Sequence, residues 1–105
     1  MIQRKLKVTH NMNAQHEVLQ LLQEECAEVI QATSKVFRFG LFDTHPDTPS
    51  KTNTHHLEEE LGDVLAMIDL LATHKVISYS NVIQFKQRKF DKLRTWSKIN
   101  VDYIG

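Results

Sequence analysis

Residues 13–40 read NAQHEVLQLLQEECAEVIQATSKVFRFG, and this stretch decides the fold. Val18, Leu19, Leu21, Leu22, Cys26, Val29, Ile30, Thr33, Val36 and Phe37 recur at spacings of three and four, the period of one helix face. Asn13 suits an N-cap because its side-chain oxygen can accept a first-turn N–H, and Gly40 suits a stop. The spacing predicts a long helix between them. Upstream, residues 1–12 are basic and weakly patterned, and read as an N-terminal arm. Downstream, GLFDTHPDTPSKTN (residues 40–53) holds both prolines and several turn formers, and reads as a loop.

A second apolar periodicity follows in THHLEEELGDVLAMIDLLAT (residues 54–73), carried by Leu57, Leu61, Val64, Leu65, Met67, Ile68, Leu70 and Leu71. Gly62 lies inside it at a helix cost of roughly 1 kcal/mol. Such a glycine is expected where another backbone or a ligand comes close. A third helix is expected from Ser78 or Ser80 to about Ser97, with Val82, Phe85, Phe90, Leu93 and Trp96 on its buried side. The fold class expected is therefore all-α, a helical bundle in one domain (1–105, core about 13–97). Three helices leave much apolar surface uncovered on 105 residues, so a homo-oligomer is expected.

Composition narrows the setting. Thirteen basic and thirteen acidic residues balance, which gives no overall pull toward nucleic acid or membrane, and no stable nucleic-acid binding is expected. The lone Cys26 cannot form an internal disulfide and fits a reducing cytoplasm. No apolar run approaches the roughly 20 residues that span a bilayer. The N-terminal stretch has no signal-peptide core.

The charge is segregated along the chain. Asn13 to Ser34 holds Glu17, Glu24, Glu25 and Glu28 with no lysine or arginine; Thr52 to His74 holds Glu58, Glu59, Glu60, Asp63 and Asp69, again with none. Lys75 to Lys98 carries seven bases against Asp91 alone. A solvated face with salt bridges is the ordinary reading of a charged helix. Here no acid of the first two helices has a lysine or arginine three or four places away. Glu24 and Glu28, Glu25 and Glu28, Glu59 and Asp63, Glu60 and Asp63 stack like charges at helical spacing, which disfavours an isolated helix. Glu25 also shares a face with Leu21, Leu22, Val29 and Ala32, and Asp63 with Met67 and Leu70. Carboxylates turned toward a packed side take up a proton or find a cation.

An all-oxygen ligand set, Glu25 and Glu28 with Glu60 and Asp63, suits Mg²⁺, with Mn²⁺ as a substitute. Glu-x-x-His pairs, as in a di-iron bundle, are absent, as are a calcium loop and paired zinc ligands. Magnesium on carboxylates usually meets substrate phosphates. The basic third helix then offers Lys86, Lys89 or Lys92 to phosphate oxygens, or is a solvated face.

Two strings now stand out. Glu24-Glu25-Cys26-Ala27-Glu28 reads E-E-x-x-E, and Glu60-Leu61-Gly62-Asp63 reads E-x-x-D, on consecutive helices about thirty residues apart. The ordered pair resembles the MazG-like all-α nucleoside triphosphate pyrophosphohydrolases of the short, single-domain phage and bacterial type, over roughly residues 13–97. The resemblance implies a dimer or tetramer in the cytoplasm. It implies Mg²⁺ held by Glu25, Glu28, Glu60 and Asp63, with Glu24 orienting or deprotonating the attacking water. It implies hydrolysis of a (d)NTP to the monophosphate and pyrophosphate, with a lean to deoxynucleotides and to a purine such as dGTP. Lys35 and Arg38 look like phosphate or nucleotide contacts, and His16 and Gln20 like pocket residues. Phe37, Phe39, Phe42 and Trp96 are candidates to stack on a base, although core packing is the expectation for Phe37 and Trp96. His55 and His56 read as helix-start residues rather than ligands. The later string FKQRKFDKLR does not match the lysine-asparagine pattern of some relatives, which weakens the role of Lys86 and Lys89. The competing reading is a non-catalytic helical module that binds a nucleotide or a partner.

Overall fold

The computed structural model describes residues 13–102. Three helices, α1 (Ala14–Phe39), α2 (Asn53–Thr73) and α3 (Tyr79–Trp96), account for most of them. Each begins where a side chain can close its first turn. Asn13 accepts from the His16 N–H at 2.9 Å, Thr52 from His55 at 3.1 Å and Ser78 from Asn81 at 3.3 Å. Gly40 ends α1 at a positive φ of 92°, with its N–H on Val36 O at 2.8 Å.

The connection expected as a loop at 40–53 carries a small antiparallel hairpin, β1 (Thr44–His45) and β2 (Thr48–Thr52), with a bulge between Thr44 and His45. Tertiary hydrogen bonds hold it at its base. Asn53 N–H donates to Asp43 O at 3.0 Å and Asn53 Nδ2 to Gly40 O at 2.9 Å. Thr54 donates to Leu41 O from both its N–H and its hydroxyl, each at 2.9 Å. The hairpin turns α2 back along α1, and Gln15 Nε2 reaches His74 O at 2.8 Å at the other end of the pair. The two helices are thus antiparallel neighbours along their length.

The α2–α3 connection is a Schellman turn. Val76 N–H meets Leu71 O at 2.9 Å and Lys75 N–H meets Ala72 O at 3.1 Å. Lys75 takes the left-handed position at φ 62°, where glycine is ordinarily found. We expect Lys75→Gly to stabilise the fold by about 0.5–1 kcal/mol. Urea titration measures it, and an unchanged or lower midpoint contradicts strain at this residue.

Helix α3 stands largely apart from the α1–α2 pair, and none of its residues is buried. The radius of gyration is 16.9 Å, against about 13 Å for a compact chain of this length. The buried side expected for α3 is therefore not fully covered by the described residues: Val82, Phe90 and Leu93 are half-buried, while Phe85 and Trp96 are exposed. Core packing fails for Phe37 and Trp96, which are 87% and 85% exposed, because no described element lies over them. Gly62 also departs from expectation: an added Cβ would meet nothing within 4 Å, so no close approach in this chain requires it. No described helix is long and apolar enough to cross a membrane. The basic arm at 1–12 lies outside the described residues.

Candidate metal centre

The buried residues of α1 are Val18, Glu25 and Ala32, one every seven positions, a seam turned toward α2. Glu25, at its midpoint, is 0% exposed. Across from it α2 buries Glu60. A spacing of three puts Glu25 with Glu28, and Glu60 with Asp63, on one helix face each. The antiparallel crossing then brings the two pairs together. Each of the four offers a carboxylate oxygen, and these oxygens all lie within 4.8 Å of one another.

Such a cluster is electrostatically unfavourable as it stands. Both oxygens of Glu25 and Oε2 of Glu60 are buried without a hydrogen-bond partner. Among the described residues no lysine or arginine pairs with Glu25, Glu60 or Asp63. Burial, then the charges of Glu28 and Asp63, push Glu25 up to about 7. Burial, then Glu28, push Glu60 up to about 7 as well. Orphaned hard oxygens from two helices are a fitting donor set for a divalent cation.

His56 Nε2 lies 3.3 Å from Glu60 Oε1, one helical turn away. Its pKa is lowered by burial first and then by Lys35 and Lys51, so near neutral pH the ring is uncharged and can donate from Nε2. That contact occupies Oε1 and leaves Oε2 for the cluster, the kind of outer contact that orients a ligand. His56 was expected as a helix-start residue only. The signal for it was its spacing of four to Glu60, hidden when only lysine and arginine are considered as partners.

Other candidates fall at various places. Glu24 is half-buried on α1, next to Glu25. Gln20 is half-buried on the same helix, with a buried Oε1 that has no partner. Lys35 lines a cavity with His56 at the hairpin end of the pair. Arg38 is exposed and sits 4.8 Å over the Phe39 ring. His16 is exposed and contributes its backbone N–H to the α1 cap. Lys86 and Lys89 are exposed on α3, which the chain does not bring against the cluster. Asp43, His45 and Asn53 line the same cavity and were not anticipated, because the hairpin that places them was read as a loop.

No curated protein and no solved structure matches the chain at a significant level. The family model of the MazG nucleotide pyrophosphohydrolase domain matches residues 13–95 of the 105. That span begins at the cap of α1, contains both acidic pairs and ends one residue before the end of α3. With four carboxylates from its first two helices gathered in one cluster, two of them buried and two half-buried, the chain belongs to the MazG nucleotide pyrophosphohydrolase family.

Proposed function

We propose that this protein hydrolyses nucleoside triphosphates to the monophosphate and pyrophosphate, with Mg²⁺ held by Glu25, Glu28, Glu60 and Asp63. The observation that carries the reading is the group of four carboxylates, Glu25 and Glu60 buried and Glu28 and Asp63 half-buried, whose candidate ligand oxygens lie within 4.8 Å of one another. A divalent ion bound there neutralises phosphate charge and lowers the pKa of a water molecule. Glu24, beside the cluster, accepts a proton from the attacking water. The water oxygen bonds to the α-phosphorus, the bond from that phosphorus to the bridging oxygen breaks, and pyrophosphate leaves. Lys35, which lines the hairpin-side cavity, is the proposed contact for phosphate oxygens.

Deoxynucleotides are the proposed substrates, with a purine such as dGTP favoured. The exposed aromatic residues of α1 and α3 support assembly as a dimer or tetramer, since large uncovered apolar surface marks an interaction site. Incubation with Mg²⁺ and a panel of nucleoside triphosphates is expected to yield monophosphate and pyrophosphate, from protein that sediments above the monomer mass. Release of inorganic phosphate and a diphosphate would place the cut elsewhere. Metal binding with no turnover on any nucleotide would leave a binding module instead.

A further inference from the structure

Helix α1 has two unlike sides. At about 100° per residue, with Glu25 as the zero, Glu24 and Glu28 fall at about −100° and −60°. Leu19, Gln23, Cys26, Ile30, Thr33 and Phe37 fall between about +80° and +160°, on the other side of the helix. Thr33 is half-buried and the other five are exposed, Ile30 to 70%. Among the described residues no second helix packs on this stripe, since α2 takes the Glu25 face and α3 stands apart. A solvated helix face ordinarily carries charge. From Val18 to Ser34 the charged residues of α1 are Glu24, Glu25 and Glu28, and none of them lies on the stripe. Its members follow one another at four, three, four, three and four places. That is the heptad spacing of a seam which another helix fills. It runs about 27 Å from Leu19 to Phe37, at 1.5 Å per residue.

The order of residues along the seam identifies what fills it. Laid against its own reverse, the seam sets Leu19 opposite Phe37, Gln23 opposite Thr33 and Cys26 opposite Ile30. Apolar side chains then meet apolar ones, and an amide meets a hydroxyl. Thr33 donates its hydroxyl to Val29 O at 2.8 Å, which leaves its oxygen to accept from a glutamine amide. A helix face that matches its own reverse suits a two-fold axis, where both subunits supply the same patch. A two-fold also brings each charge of a patch near its own copy, and this seam has none to repel. The α3 region is the opposite case, with seven bases against Asp91 alone, and pairing it with itself would set like charges together.

We propose that α1 of one copy packs antiparallel on α1 of a second copy across a two-fold axis, through Leu19, Cys26, Ile30 and Phe37. The proposal rests on the assembly reading above and not on the reaction. Glu24 and Glu28, on the other side of α1, stay clear of the contact. Sedimentation and maleimide labelling of the full chain test it. Wild-type protein is expected to run at a multiple of the monomer mass with Cys26 shielded, although the single chain exposes that thiol. Ile30→Glu, at an exposed position, is expected to halve the mass and open Cys26 to the reagent, with the helical circular-dichroism signal retained. Cys26→Lys halves the mass as well. Mixing the two variants restores the wild-type mass, because the new acid of one copy then faces the new base of the other. An oligomer unchanged by both variants keeps the assembly and overturns this face, as does a mixture that stays dissociated while both variants are folded. Should either variant fail to fold, labelling of wild-type protein across a dilution series decides. Shielding lost on dilution supports the seam, and shielding at every concentration, or at none, overturns it. A wild-type monomer overturns both the face and the assembly, whether Cys26 reacts or lies covered by residues 1–12.

Discussion

Glu25→Gln and Asp63→Asn each lower kcat/KM by more than about 100-fold while raising the melting temperature of the metal-free protein. The first half follows from the proposed role of each as a direct metal ligand, since contacts one shell further out already cost about 10–100-fold. The second half follows from the cluster itself. Glu25 is fully buried, has no hydrogen-bond partner on either oxygen, and is pushed up to about 7 by burial and by Glu28 and Asp63. Removing that charge near pH 8 relieves a cost of roughly 3 kcal/mol, less what an unpartnered buried amide costs in turn, for a net gain on the order of 1–2 kcal/mol. A residue that served only to hold the helices together would lose stability and activity in parallel. Opposite movement of kinetics and thermal melts is thus the diagnostic result. Glu58→Ala, at an exposed carboxylate outside the cluster, provides the control and is expected to leave both near wild type. Unchanged turnover in Glu25→Gln would remove the residue from the machinery.

Stripping metal with a chelator destabilises the protein strongly at about pH 8 and weakly at about pH 5. The sign follows from the two raised carboxyls. Glu25 and Glu60 move from an ordinary value of 4.5 up to about 7 in the folded chain. Below the ordinary value both are protonated in folded and unfolded chains alike, and the fold carries no charge penalty. As pH rises through about 7, the folded metal-free chain must ionise them against one another, and stability falls. Bound metal removes this loss, because its ligands are then wanted in the charged form. At a hundredfold excess over its dissociation constant an ion contributes about 2.7 kcal/mol. Thermal melts from about pH 5 to 9, with Mg²⁺ and with chelator, should separate between about pH 5 and 7 and run a constant distance apart above that. Parallel curves would mean that the carboxylates are not where the ion binds.

Much of this architecture was legible from local chemistry. Asn13, Gly40 and Ser78 mark helix boundaries through hydrogen bonds that depend on neighbouring residues, so periodicity and capping located α1, the end of α2 and the start of α3. The inward turn of Glu25 was legible too, because Leu21, Leu22, Val29 and Ala32 share its face, and that face meets α2. What local pattern could not show was what covers a face. Phe85 and Trp96 share an apolar stripe, yet among the described residues no other element packs closely over α3. The hairpin was missed for a related reason. TPSKT has no alternation of apolar and polar residues, and its pairing is secured from outside by Asn53 and Thr54 on Gly40 and Leu41. The cavity residues that depend on the hairpin, Asp43 and His45 above all, were hidden with it.

Those same four residues tie the neck of a noose. Because Asn53 and Thr54 grip Gly40 and Leu41 directly, the helices are joined before the intervening residues begin to matter. Chain threaded between the two knots can be lengthened, shortened or rewritten while the carboxylate floor stays fixed. A lineage built this way can vary about a dozen residues there and leave the carboxylates beneath them untouched.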